Sequence, residues 1–322
     1  MSTSTRPTVA PRRHFSTAAR REALTAYLFI APWLITAGIF TFGVLAYVFY
    51  TSFTSLTISF ARNVHFVGLD NYIRAFGDPD FQISLINVLW YFIIVTTVQT
   101  VLSILLAVLL NAKIPGIRFF RTALYAPSVA SAVVMSLIFL WLYLPTGFIN
   151  YFLGTNIAWL QSPQRIFDSI FGPQGPLLLR GPSITWIAIM VLNIFTTVPT
   201  YMVLFLAALQ DIPAQLYEAA AIDGATGIDA FLYITLPLLR RAVALVVVLG
   251  TTGTFLVFAQ IAIMTQGGPL KTTLVPLYLV YQKTLGVGTR PEAGYGAAMA
   301  FILAFIIIVL TIIQRRYIER DT

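Results

Sequence analysis

Long apolar stretches alternate with short polar ones along the chain. Six of them meet the requirement of about 20 mostly apolar residues for a membrane-spanning helix. They cover approximately residues 27–52, 86–110, 122–144, 184–209, 242–264 and 294–314, with Pro127 inside the third. None contains Asp, Glu, Lys or Arg, so every charge falls in a tail or a loop. The pattern predicts an all-α integral membrane protein. Its six transmembrane helices occupy residues 27–314, between tails at 1–26 and 315–322.

Composition agrees. Only 10% of the 322 residues are charged and 58% are hydrophobic, with a mean hydropathy of +0.84. Soluble domains carry about 25% charged residues, and disordered chains are more polar still, so both classes are excluded. Lys and Arg set the orientation. Thirteen lie in the two tails and the loops at 111–121 and 210–241, and seven in the other loops. Both termini are therefore expected in the cytoplasm, with the loops at 53–85, 145–183 and 265–293 outside. The first apolar stretch is too long for the 7–15-residue core of a cleavable signal and reads as the first span. The net charge of +8 follows from this topology. Its basic residues are dispersed, which does not suit nucleic-acid binding.

Familiar catalytic chemistry is missing. There is no cysteine, hence no disulfide or thiolate site. The histidines, His14 and His65, are far apart. The three lysines follow Ala112, Leu270 and Gln282, so no Gly-Lys phosphate loop exists and no cofactor is expected on this chain. Spans without ionisable groups also disfavour proton coupling, which places such groups at membrane depth. Sodium can be held by carbonyls alone, so an ion-coupled carrier or a channel remains an alternative. If solute moves uphill, energy enters through a loop.

The segment 210–241 is the largest internal loop on the basic side. Asp211 is placed to cap a helix with Pro213 in its first turn. The helix runs through Leu216, Tyr217, Glu218, Ala219, Ala220 and Ala221, and Gly224 ends it in a left-handed conformation. A second helix starts near Thr226 or Gly227, and Pro237 bends the approach to the fifth span. The first helix is too short to be stable alone. It packs either on a partner protein or on its own chain. Ala219 and Ala220 permit close approach, Leu216, Tyr217 and Ile222 add apolar grip, and Glu218 adds a charge.

A solute route needs polar groups at membrane depth. Asn193, Thr196, Thr197 and Thr200 share one face of the fourth span by their i, i+3, i+4, i+7 spacing. The fifth offers Thr254 and Gln260. These residues either line a cavity or join helices, as Thr and small residues do in membranes. Pro199 frees a carbonyl that a cavity would tolerate. The loop at 145–183, with Trp159 near its middle, either meets an external partner or caps the spans.

Glu218-Ala219-Ala220, Asp223-Gly224 and then Ile234, Leu236 and Pro237 resemble the EAA loop of binding-protein-dependent ABC importer permeases. The resemblance extends from Tyr27 to the last span. Phe66-Val67-Gly68-Leu69-Asp70-Asn71-Tyr72, Phe119-Phe120-Arg121 with Pro127, Thr265-Gln266-Gly267-Gly268-Pro269 and Gly294-Tyr295-Gly296-Ala297-Ala298 resemble segments of the maltose, trehalose and glycerol-phosphate importer type. Where many of that type carry Asn or Asp before the Gly-Gly-Pro loop, this chain has Phe255-Leu256-Val257-Phe258-Ala259.

The resemblance implies an ABC type I importer permease fold in a prokaryotic inner or plasma membrane. It implies a second, homologous permease, a dimer of ATPase subunits carrying ATP and Mg, and an extracytoplasmic solute-binding protein. Glu218, Ala219, Ala220, Asp223 and Gly224 would couple to the ATPase. The cargo would be a neutral sugar or oligosaccharide, with glycerol-phosphate or another small solute as the alternative. The chain itself would not be an enzyme.

Overall fold

A backbone crossing hydrocarbon must satisfy its own hydrogen bonds, and the helix does so within one segment. The computed structural model is accordingly helical, and the strand-like pairings among its described residues are isolated bridges. It describes residues 17–57, 64–112 and 115–319. Arg6, Arg12, Arg13, His14, Arg62, Lys113 and Arg320 lie outside them.

The chain divides into two units, residues 1–50 and 51–322. The first contains α1 (Thr17–Ala37), a π-helical turn (Gly38–Gly43) and most of α2 (Val44–Thr51). Leu24–Thr51 forms the first span. Pro32 sits inside α1, where Thr36 Oγ1 donates to its carbonyl.

The second unit opens with α3 (Asp70–Gly77) and the long span α4 (Pro79–Leu110). Asp78 caps α4 by accepting from the Asp80 amide, with Pro79 at the first helical position. At its far end the Arg121 guanidinium donates to the Leu110 carbonyl, which suits a cation at a helix C-terminus. Next come α5 (Ile117–Val129), α6 (Ala132–Leu142), the loop helices α7 (Phe148–Leu153) and α8 (Asp168–Phe171), and the span α9 (Ile184–Gln210). Then follow α10 (Ala214–Ile222), α11 (Gly227–Ala230), a π turn (Phe231–Thr235) and α12 (Leu236–Leu238). The chain finishes with α13 (Arg240–Phe255), α14 (Ala259–Met264), α15 (Pro276–Leu285) and the last span α16 (Ala293–Glu319).

Two of the expected spans are interrupted. The third is not one straight helix, because α5 and α6 meet at 95°. Pro127 weakens the end of α5. Ala130 and Ser131 are extended, and Ser131 then caps α6 through the Val134 amide. Five helices among the described residues are long and apolar enough to cross a membrane, and the bent pair makes six. The fifth span breaks between Phe255 and Ala259, where Phe258 leaves helical geometry.

Helix α4 packs against α9, α13 and α15, α13 also packs against α16, and α6 against α14. Toward one end the core stacks Tyr91 on Trp186. Toward the other it gathers Leu110, Leu209 and Leu239. The loop at 145–183 folds as a cap. Its anchor is Asn87, fully buried on α4. The Asn87 amide donates to the Lys271 and Leu274 carbonyls, and its oxygen accepts from buried Arg165. Its backbone carbonyl accepts from the Trp186 indole. Arg165 also donates to the Gly181 carbonyl. Burial lowers the Arg165 pKa, and Asp168 opposes that shift. Arg180 in turn holds the Asp168 carboxyl below its ordinary range. Lys271 and its neighbour Leu270 occupy left-handed backbone, a strain that surrounding bonds must hold. The start of α16 is fixed against the first loop. Gly294 donates to the Leu56 carbonyl, and a side chain there would meet the Thr54 carbonyl. Arg74 pairs with Glu292 and lies over the Tyr295 ring.

Asn87→Leu should cost about 2–3 kcal/mol, since it removes one acceptor of a buried guanidinium and the donor to two carbonyls. A lowered thermal midpoint of the purified protein, with the loop at 145–183 exchanging amide hydrogen faster, would show it.

Candidate functional site

The polar face of α9 opens on a cavity of about 280 Å³. Asn193, Thr196, Thr197 and Thr200 line one wall, and Gln260 faces them from α14. Ser128, Ala130, Ala132 and Met135, from the bend between α5 and α6, line another. The cavity thus sits where two spans lose helical continuity. Broken helices are tolerated at membrane depth where they border a cavity. No lining residue carries a charge.

Hydrogen-bond capacity differs along this wall. Thr196 returns its proton to the carbonyls one turn back, Leu192 and Asn193. Thr197 Oγ1 has one proton, within 2.8 Å of the Asn193 carbonyl and 2.9 Å of Gln99 on α4. The Gln99 amide nitrogen is buried without a partner as placed. With the amide turned, Gln99 donates to Thr197 and Thr197 donates to Asn193, so that the Thr197 hydroxyl both accepts and donates. Among the described residues, the side chains of Asn193, Thr200, Tyr201 and Gln260 keep their capacity for a ligand. The arrangement can take a neutral, polyhydroxylated solute.

Thr254 does not join this wall. It is buried in α13 and donates to the Thr251 carbonyl, so its hydroxyl serves the helix. Pro199 is buried outside the lining, and α9 runs through it while Ser103 donates to the adjacent Val198 carbonyl. The residues that pattern reading missed are those at the α5–α6 bend and Gln99. Pro127 followed by Ala130-Ser131-Ala132 was the available signal for the bend. Gln99 gave none, since nothing in its own span marks its partner. Gly250 on α13 faces this joint, and a methyl there would meet the Gln99 amide. A larger cavity of about 760 Å³ lies among the loop ends around Asn71, Arg74 and Glu292.

The second feature is the hairpin after α9. Helix α10 ends as expected. Gly224 has φ +81, its amide donates to the Ala221 carbonyl, and the Ala225 amide reaches Ala220, which is the Schellman pattern. Its start differs from expectation. Pro213, with ψ 130, is itself the cap residue, and Asp211 closes α9 instead. Thr226 begins α11 with a reciprocal capping box to Asp229. Pro237 acts indirectly. It has no amide proton for the Tyr233 carbonyl, and the turn before it widens so that Leu236 donates five residues back to Phe231. Tyr217 and Thr235 hydroxyls, 2.9 Å apart, join α10 to that turn. Leu216, Glu218, Ala219, Asp223 and Gly224 are exposed and Ala220 is half-buried, while Ile222 is 86% exposed.

Residues 100–320 match the family described as binding-protein-dependent transport system inner membrane component. The chain is 32% identical over 301 residues to the arabinooligosaccharides transport system permease protein AraP of Halalkalibacterium halodurans, covering 91% of this chain and 87% of that protein. It is 29% identical over 305 residues to the sn-glycerol-3-phosphate transport system permease protein UgpA of Shigella flexneri, covering 93% and 95%. Its fold superposes with TM-score 0.76 and 20% identity on a chain from the bacterial alginate ABC transporter in complex with alginate pentasaccharide-bound periplasmic protein, covering 96% and 99%.

Gly250→Ala should gain helix propensity yet lose about 1–3 kcal/mol net through overpacking. Adding Gln99→Ala should recover much of the loss, a coupling that a double-mutant cycle of thermal midpoints would read.

Proposed function

Because this chain belongs to the binding-protein-dependent transport system inner membrane component family, we propose that it forms, with a second homologous permease, the membrane pathway of an ATP-driven importer for a neutral saccharide. The chain is a multi-pass membrane subunit and not an enzyme. ATP and Mg belong to a separate pair of ATPase subunits. Its place is the prokaryotic inner or plasma membrane, with both termini in the cytoplasm, following the Lys and Arg bias.

One observation carries the cargo reading. The cavity between the interrupted spans is lined by hydroxyls and amides with no cation. An anionic solute such as glycerol-phosphate would call for Arg or Lys there. Among named relatives, AraP is described for arabinooligosaccharides and UgpA for sn-glycerol-3-phosphate, and the uncharged lining favours the saccharide. Asn193, Thr200, Tyr201 and Gln260 hold the sugar hydroxyls. Thr196 and Thr197 shape the wall, and Thr254 keeps the neighbouring helix closed.

The exposed hairpin supports the coupling reading. A helix as short as α10, with Leu216 and Ile222 in solvent, is an unfinished surface. Glu218, Ala219, Ala220, Asp223 and Gly224 form the knob that the ATPase holds. Closure of the ATPases on ATP moves this knob, and Tyr217–Thr235 passes the motion into α13. The external binding protein releases its sugar into the cavity.

Two outcomes test the proposal in proteoliposomes holding the complete importer. Asn193→Leu with Gln260→Leu should lower ATP-dependent saccharide uptake more than tenfold while the ATPase stays bound. Gly224→Pro, which cannot adopt φ +81, should abolish uptake and release the ATPase on co-purification. Normal uptake by the proline variant would refute the coupling role.

A further inference from the structure

The cap contains a second cavity, of about 230 Å³, walled by Tyr143 and Trp159 with Leu140, Gln161 and Met264. The two rings lie 5.8 Å apart between centroids at 43°. Their polar atoms are bound elsewhere. The Tyr143 hydroxyl donates to the Ala188 carbonyl, and the Trp159 indole donates to Asn150 Oδ1. Asn150 is 2% exposed. Its oxygen also accepts from Thr155 Oγ1 and the Ile157 amide, and its nitrogen donates to the carbonyls of Leu144, Pro145 and Ile157. A buried side chain whose hydrogen bonds all serve this loop thus fixes the indole and leaves aromatic surface as a wall. Gln161 is exposed, and among the described residues its side-chain amide has no partner.

This cavity continues the first along the same two helices. On α14, Gln260 lines the first and Met264 the second; on α6, Met135 lines the first and Leu140 the second. Four residues of helix rise about 6 Å, so the second cavity begins roughly one turn nearer the cap. We propose that the Tyr143–Trp159 cavity is a second saccharide subsite, which takes a further ring of an oligosaccharide whose leading ring occupies the Asn193–Gln260 cavity. The inference rests on the saccharide reading above. The aromatic rings receive the apolar C–H face of a sugar ring, and Gln161 binds a hydroxyl at the cavity's rim. Trp159, held by Asn150, and Tyr143, held by the Ala188 carbonyl, lose little freedom on binding, so the contact is efficient. The subsite therefore sets a preference for length, while the first cavity serves every transported saccharide.

The test uses the whole importer with its binding protein in proteoliposomes. The probes are radiolabelled arabinose to arabinotetraose and glucose to maltotetraose, supplied at saturating binding protein. The readout is the uptake ratio of the longest to the shortest saccharide transported. Trp159→Ala should lower that ratio about fivefold, the size of one lost aromatic contact. Trp159→Phe should restore it, and Gln161→Leu, which breaks no internal bond, should lower it by a smaller factor. Equal loss for all lengths would overturn the proposal, since it would indicate a damaged cap or a docking site for the binding protein. An unchanged ratio in Trp159→Ala and Gln161→Leu would also overturn it, while loss of uptake in Asn193→Leu with Gln260→Leu would leave the saccharide reading standing. If the wild type transported none of these saccharides, the saccharide reading would fall and the subsite with it.

Discussion

Every backbone amide and carbonyl in the apolar slab must find a partner inside the protein. This rule explains the regular spans and also gives meaning to the places where they stop. The 95° bend at Ala130–Ser131 and the gap at Leu256–Phe258 release polar groups that lipid cannot satisfy. The bend lines the polar cavity directly, and the gap is followed two residues later by Gln260, which lines it from α14. An interruption is tolerable only where something other than hydrocarbon faces it. The cavity gives the broken third span such a face.

Charge is excluded from the slab for the same reason, and this divides the labour within the chain. The cavity works with neutral hydrogen-bonding groups. The charged and exposed features are confined to the ends. The segment from α10 through α14 joins the two functions. It begins as an exposed hairpin held by Tyr217 and Thr235, passes Gly250 at the Gln99 joint, and ends with Gln260 in the cavity. One stretch of chain thus reaches from the exposed hairpin to the polar cavity.

Local chemistry made much of this legible in the sequence. Apolar length gave the six crossings. Gly224 and Thr226 marked a helix end and a helix start because those positions carry steric and capping demands of their own. The i, i+3, i+4, i+7 spacing on α9 gave one wall of the cavity. The misses have physical reasons. Asp211 was the expected cap of α10, but the extended ψ of Pro213 makes Pro213 the cap and leaves Asp211 closing α9. Thr254 has the same side chain as Thr200 but faces a helix, and only packing separates the two. Pro127 signalled weakness in the third span without giving its angle. Asn87, Asn150 and Gln99 act through partners distant in sequence or buried in loop geometry, and no periodicity reports such pairings.

The start of α16 seats against a loop made long before it. Arg74 and Glu292 are 218 residues apart in sequence, and Gly294 closes on the backbone beside Thr54. At about 5–20 residues per second of synthesis, the first loop waits on the order of 10–40 s for its counterpart. For that interval α3 lacks both its ion pair and the packing of α16. The start of the last span is thus a clasp on the first loop, and a ribosome that stops before it leaves that clasp open.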